Sequence, residues 1–352
     1  MNARTGNEPV AAVTLDGDTA AYQRFIGQMR KLWAGPLYRR LRDEAKELGD
    51  GAGFETRLQA LPTHQFFGWF EYNLQNMKYS SRRGIAAAVE THREKLEQEL
   101  ARPLSQGRLT ENPDLAAPDY YQENDFHQHP GGLGGDAIAA VVYREGAGAA
   151  AGVVGKAGLH NRFAKAALGD RKPKRVLDIG CGFGRSTQAF ADLGPDVEAV
   201  GIDLSASCVR LSAQIAEERP EGSNTRYIQA DGAEVPLPDG SFDVVTSTML
   251  LHEMPPEAIR QLISESYRLL APGGVAVHLD FLPPDDAFLT ALYHGHSDRN
   301  AEPFMHTLAG MDLDGDHRAA GFSAVEISSF AEDDAPRGET WRLPWTIIKA
   351  IK

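Results

Sequence analysis

The run Arg175-Val-Leu-Asp-Ile-Gly-Cys-Gly-Phe-Gly184 decides the fold. Val176, Leu177 and Ile179 make a short apolar strand without polar alternation, as expected where helices cover both faces of a parallel sheet. Gly180, Gly182 and Gly184 then let the backbone turn sharply and approach a ligand with no Cβ in the way. A helix is expected over 185–192.

Alone, a G-x-G-x-G run fits many Rossmann-like folds and some plain tight turns, and the chain downstream gives it weight. A second apolar strand over 197–202 ends in Asp203, roughly twenty residues past the last glycine, where a carboxylate can accept both hydrogen bonds of a ribose diol. A third strand over 225–229 runs into Ala230-Asp231-Gly232. A fourth, over 242–247, follows Pro236-Leu-Pro-Asp-Gly-Ser-Phe-Asp243, whose prolines and glycine stop regular structure. A helix over 257–270, the turn Ala271-Pro-Gly-Gly274 and a fifth strand over 275–280 complete the series. Successive strands therefore end in polar residues along one edge of one sheet.

The ordered set V-L-D-I-G-C-G-x-G, G-I-D-x-S, D-x-x-x-x-P-x-x-D-x-S-F-D-V-V and L-x-P-G-G resembles the class I S-adenosylmethionine-dependent methyltransferases, in particular their small-molecule group. The likeness spans about residues 160–352. It closes with Ala320-Gly-Phe322 before a strand over 324–328 and a last strand over 341–351. It implies an α/β fold: a Rossmann-like seven-stranded sheet with its last strand antiparallel and helices on both faces, preceded by a mainly α-helical N-terminal domain.

The resemblance also implies roles. Asp178 and the loop of Gly180, Cys181, Gly182 and Gly184 would surround the methionine part of S-adenosylmethionine, and Asp203 would hold the ribose hydroxyls. Leu204 would lie on the adenine face, Asp231 would accept the adenine amino group, and Gly232 or Ala233 would offer a backbone donor. Ser247, Thr248 and Met249 would meet the methionine end. Each acid also has a plainer reading, as a helix cap or turn former; their joint placement after successive strands favours the ligand. A nicotinamide dehydrogenase is the nearest competitor, but Arg185 stands where its third glycine would be, and S-adenosylmethionine has no phosphate to bind. The implied activity is methyl transfer to a small metabolite. A non-methylating enzyme of the same fold, or a non-catalytic cofactor-binding protein, would carry the same loop.

The chain has 352 residues and a formal charge of −13, from 49 acidic and 36 basic residues, with no basic run. That balance argues against an electrostatic grip on nucleic acid. Two cysteines, Cys181 and Cys208, exclude a disulfide framework and suit a reduced, cytoplasmic protein. No stretch reaches the roughly eighteen apolar residues of a spanning helix, and the N-terminus lacks a signal-peptide apolar core. No membrane association is expected.

Residues 1–17 read as a flexible lead-in and 18–135 as a helical accessory domain. Residues 136–352 read as the catalytic domain, with a core over 172–352 and an insertion over 282–320 above the acceptor site. Two helices kinked at Gly35-Pro36 are expected over 20–48, an aromatic-rich helix over 62–78 with its aromatics in a core, and an amphipathic helix over 85–100. In the resembling enzymes such a helical unit mediates homodimerisation or roofs the pocket. Prolines and the Gly131-Gly-Leu-Gly-Gly135 run make 101–135 a connector, and 147–158 a glycine- and alanine-rich loop or loose helix start. Within the connector, Tyr120, Tyr121 and Phe126 are lid candidates, joined by His294 in the insertion.

His127 with His129, and His294 with His296, form two H-x-H pairs, which align imidazoles on an extended segment; Asp125, Asp280 and Asp298 are available oxygen donors. Eleven histidines produce such pairs without design, and neither H-E-x-x-H nor C-x-x-C is present, so no metal is expected. The magnesium-dependent catechol-type pattern is also missing, since Thr246-Ser247 and Asp280-Phe281 stand where its ligands would be. His252, just after the fourth strand, is the candidate general base.

Overall fold

The computed structural model describes residues 10–49, 51–150, 158–219, 224–331 and 338–352. Eight strands form one sheet: β1 (Leu109–Thr110), β2 (Arg175–Ile179), β3 (Glu198–Asp203), β4 (Thr225–Gln229), β5 (Phe242–Thr248), β6 (Leu270–Phe281), β7 (Ala324–Ser329) and β8 (Trp345–Ile351). They lie in the order β1-β4-β3-β2-β5-β6-β8-β7, parallel except for β8, which is antiparallel to both neighbours. Seven of them make the expected sheet. The eighth, β1, leaves the proline-rich connector to pair with Tyr227 and Ile228 at the β4 edge; two residues are too few to carry a periodicity signal.

The register sets the strand tips level. Ile179 pairs with Ile202, and Asp203 with Gln229, so the loops after β2, β3 and β4 open on one edge. Alternation along β2 sends Leu177 and Ile179 to one face and Val176 to the other. The first face packs against Ile259, Leu262 and Ile263 of α12 (Pro256–Leu269). The second packs against Phe163 of α9 (Leu159–Leu168) and Phe190 of α10 (Arg185–Ala191). Covering both faces is what lets the strands be apolar throughout.

Before the sheet come α1 (Gly17–Leu32), α2 (Tyr38–Leu48), α3 (Phe54–Gln59), α4 (Pro62–Ser80), α5 (Ile85–Glu90) and α6 (Arg93–Leu100), then α7 (Asp119–Gln122) and α8 (Ala139–Ala150). At Gly35-Pro36 the helix is not broken but widened into a π-helical turn, Trp33–Leu37, which absorbs the donor that proline lacks. The helix expected over 85–100 is interrupted between α5 and α6, where Thr91 Oγ1 donates to the Ala88 carbonyl. In α4 the aromatics divide: Phe67 is buried against Trp33 with ring centroids 4.9 Å apart, while Phe66, Trp69 and Tyr72 are exposed.

Of the expected loose lead-in, residues 1–9 lie outside the described residues, and the rest is packed. Val10 and Ala11 are buried, the Ala11 N–H donates to Glu99 Oε2 at 2.9 Å, and Asp16 caps α1. The glycine- and alanine-rich stretch is helical through Ala150, and 151–157 lie outside the described residues.

The insertion carries α13 (Ala287–Asn300), α14 (Met305–Ala309) and α15 (Leu313–Ala319), with α11 (Ala206–Glu217) following β3. Leu292 of α13 shares a core with Ile26, Tyr38 and Phe67 of the N-terminal helices. Trp341, expected in the last strand, joins that core instead: its backbone N–H donates to the Ala34 carbonyl at 2.7 Å, and β8 starts only at Trp345.

Candidate active site

The glycine turn is fixed from below and from the side. Gly180, Gly182 and Gly184 all have left-handed φ, of 68°, 52° and 84°. The Cys181 N–H donates to the Ile202 carbonyl at 2.9 Å, and the Gly182 N–H to Asp203 Oδ2 at 2.8 Å. Asp203 Oδ1 accepts from the Ser205 N–H at 2.9 Å. Asp203 is thus no helix cap, because Ser205 caps α11 by accepting from the Cys208 N–H. Burial pushes the Asp203 carboxyl up to about 7, with the two backbone donors pulling the other way.

Asp178 is turned away from this edge. It is fully buried, and its Oδ2 accepts from Ser186 Oγ and Thr187 Oγ1 at 2.6 Å each, while Oδ1 has no partner. Burial raises this carboxyl to about 6 against those two hydroxyls. It braces the turn against the first residues of α10.

A cleft opens at the strand tips. Of the residues singled out by sequence, Gly180, Gly182, Asp203, Leu204, Asp231, Gly232, Thr248, Met249, Tyr120 and Tyr121 line it. Asp178, Cys181, Gly184, Ala233, Ser247, Phe126, His252 and His294 do not. Cys181 is buried under the turn, and Gly184 starts α10 with Tyr227 and Ser212 at its back. Ala233 donates its N–H to Asp231 Oδ1 at 2.8 Å, and Ser247 Oγ meets His278 Nδ1 at 2.8 Å inside the sheet. Phe126 is buried against Phe304. His294 stacks near His306, with ring centroids 4.4 Å apart.

The H-x-H pairs do not align their rings. His127 and Gln128 have φ of 58° and 56°, so the segment is not extended, and His129 packs against Tyr79 instead. His294 and His296 sit on α13, where residues two apart diverge; His296 Nδ1 reaches Glu71 of α4 at 2.5 Å.

Behind Glu253, which lines the cleft, lies a polar cluster whose other members do not line it. His252 is buried, and its Nδ1–H donates to Asp280 Oδ1 at 2.7 Å, the only role open to a nitrogen facing a carboxylate. Asp280 Oδ2 accepts from the N–H groups of Leu250 and Leu251. His127 lies between Glu302, 2.7 Å from its Nδ1, and Glu253, 2.8 Å from its Nε2. Burial opposes charge on both rings, yet Glu302 and Glu253 raise His127 to about 10, and Asp280 raises His252 to about 9. The carboxylates thus favour the charged form of both rings, and His252, the expected general base, is committed to Asp280 through Nδ1 and does not line the cleft.

Several lining residues escaped the sequence reading: Leu133, Tyr143, Leu250, Glu253 and Met254. Glu253 stood next to His252 in a run already read for chemistry, and its acidity was the available signal. Tyr143 carried none, since it lies on α8 in an alanine-rich stretch whose partners are set only by packing.

A family model described as a methyltransferase domain matches residues 176–274. A demethylmenaquinone methyltransferase of Thermus thermophilus is 30% identical over 166 residues, covering 47% of this chain and 71% of its own length. A ubiquinone/menaquinone biosynthesis C-methyltransferase, UbiE, of Pseudomonas aeruginosa is 34% identical over 142 residues, covering 40% of this chain and 54% of its own length. Among solved structures, Haemonchus contortus phosphoethanolamine N-methyltransferase 2 in complex with S-adenosyl-L-methionine is 15% identical with a TM-score of 0.41, over 55% of this chain and 52% of that one; nothing further rests on so distant a likeness. The family model spans the glycine turn and the strand-tip acids, the Thermus protein is matched over 71% of its length, and on that ground the chain belongs to the class I S-adenosylmethionine-dependent methyltransferases, with S-adenosylmethionine as its cofactor.

Proposed function

We propose that this chain transfers a methyl group from S-adenosylmethionine to a small-molecule acceptor held at the Glu253 end of the cleft. The observation that carries the reading is the convergence of Asp203, Asp231 and the Gly180–Gly182 turn on one cleft. The residues fit the cofactor. A Cβ at Gly180 would stand 2.8 Å from Leu250, and one at Gly232 would stand 2.5 Å from Ile179, so both places leave backbone bare toward the cleft. Asp203 would hold the ribose diol and Asp231 the adenine amino group, with Leu204 against the ring. Tyr120, Tyr121 and Tyr143 wall the cleft and suit a cationic sulfur.

When bound, S-adenosylmethionine supplies an electrophilic methyl whose bonding electron pair returns to sulfur. The protein's own contribution is placement: strand tips and aromatic walls hold donor and acceptor in line and keep water out, which can supply most of the acceleration. Glu253 is the carboxylate that faces the acceptor, and His252 acts as a positioning residue through Asp280. By their names, the relatives methylate demethylmenaquinone or act in ubiquinone and menaquinone biosynthesis, so hydroxylated aromatic acceptors lead the search.

The test is incubation with methyl-labelled S-adenosylmethionine and a panel of hydroquinones, phenols, enolic keto acids and amines. The expected result is label in one acceptor class with an equal amount of S-adenosylhomocysteine. Tight cofactor binding with no turnover on any class would favour a non-catalytic binding protein.

A further inference from the structure

The cluster around Glu253 has the layout of a metal site. One ligand atom from each of His127, His252 and Glu253 lies within 4.8 Å of the others, and Glu253 Oε1 is 2.8 Å from His127 Nε2 and 4.0 Å from His252 Nε2. Ligands of one ion bound at about 2.0–2.2 Å sit roughly 3–3.4 Å apart, and the two spacings to Glu253 bracket that value. Each imidazole gives its other nitrogen to a buried carboxylate, His252 to Asp280 and His127 to Glu302, both at 2.7 Å. That is how metal-binding histidines are usually oriented and made more basic.

Three further observations point the same way. His252 Nε2 is buried without a hydrogen-bond partner, as is Glu302 Oε2, in side chains 1% and 3% exposed. An unpartnered buried group of this kind is costly unless a ligand completes it. His127 keeps a left-handed backbone, a conformation of low population that a structure retains where it serves a purpose. Gln75 of α4 holds it there by donating to the His127 carbonyl at 2.7 Å, and Gln128 donates to the Arg299 carbonyl of α13. Glu253, Asp280 and Glu302 place three carboxylates around His127 and His252, with His296 also 3.7 Å from Glu302, a surplus of acids that suits a cation. A proton on His252 Nε2 would have no hydrogen-bond acceptor, whereas without that proton the nitrogen's lone pair is free to coordinate a cation.

We propose that His127, His252 and Glu253 bind a first-row divalent transition metal ion at the wall of the cleft that Glu253 lines, where its open coordination positions take an oxyanion of the methyl acceptor, such as an enolate, a phenolate or the carboxylate of an α-keto acid. Two imidazoles and one carboxylate suit zinc, iron(II), cobalt(II) or manganese(II) rather than magnesium or calcium. The acceptor part rests on the methyltransferase reading above, whereas the ion site does not.

The experiment loads full-length protein in turn with Zn²⁺, Fe²⁺, Co²⁺ and Mn²⁺, removes excess by gel filtration, and measures metal by mass spectrometry beside S-adenosylmethionine binding by calorimetry. One equivalent of at least one ion is expected in the wild type. His127→Ala and His252→Ala should each weaken its retention at least tenfold, and His306→Ala, at the exposed histidine pair, should not. Cofactor binding by a protein that retains none of the four ions overturns the site and leaves the methyltransferase reading standing, while undiminished metal in both cluster variants also overturns it. Should an alanine variant misfold, the proton NMR spectrum of Co²⁺-loaded wild type decides: two strongly shifted, solvent-exchangeable imidazole N–H signals are expected, and their absence contradicts the ligand set.

Discussion

Asp203 is the residue on which the cofactor assignment turns. Its two oxygens each accept one backbone N–H, from Gly182 and Ser205, so it shapes the loop and still has lone pairs left at the cleft. A charge-assisted hydrogen bond to a diol hydroxyl is worth about 1.5–3 kcal/mol, so losing the pair costs at least roughly ten- to hundredfold in affinity. Asp203→Ala should weaken S-adenosylmethionine binding by that factor in a calorimetric titration, and an unchanged affinity would remove the ribose assignment. Burial holds this carboxyl near 7, and only its ionised form accepts from both hydroxyls. Wild-type affinity should therefore rise between about pH 6 and pH 8, with the rise absent in Asp203→Ala. Asp203 and Asp231 were legible in sequence because an apolar run of known length fixes where a strand ends. Asp178, on the same logic, proved to be a brace: side-chain direction depends on Ser186 and Thr187, which periodicity does not rank.

Between elements, the join that matters is α4 against α13. Glu71 is buried and receives His296 Nδ1 at 2.5 Å and Arg299 Nε at 2.6 Å, locking the insertion onto the N-terminal helices. Burial raises the Glu71 carboxyl, but His296 and Arg299 outweigh it and set it below its ordinary 4.5. A carboxyl lowered by folding stabilises the fold fully above its ordinary value and loses that effect as pH falls through its lower folded value. Glu71→Gln should cost about 3 kcal/mol at neutral pH, because it leaves buried positive groups uncompensated. Thermal unfolding from about pH 7 down to pH 3 should show the gap to wild type closing in acid, and a gap independent of pH would contradict this role. Sequence patterns located both helices but not their partnership, since Glu71 and Arg299 are 228 residues apart and each looks like an ordinary surface charge in its own helix.

In the molecule as a whole, the N-terminal helices are built into the catalytic unit. Ile26, Tyr38 and Phe67 share a core with Leu292 and Trp341, and Gln75 holds the His127 backbone beside Glu253. The sheet and its cofactor edge were readable because strands, glycines and acids recur in a fixed order within about a hundred residues. The Glu253 end of the cleft was not, because His127, Tyr143, Glu253 and Glu302 come from distant segments and meet only through tertiary packing. His127 in particular depends on a left-handed residue that no local pattern announced. The most direct test of the central claim is a calorimetric titration of the purified wild-type protein with S-adenosylmethionine and S-adenosylhomocysteine, with NADH as the control. Saturable one-to-one binding of both sulfur ligands and none of NADH is the predicted result; binding of NADH without the sulfur ligands would contradict it.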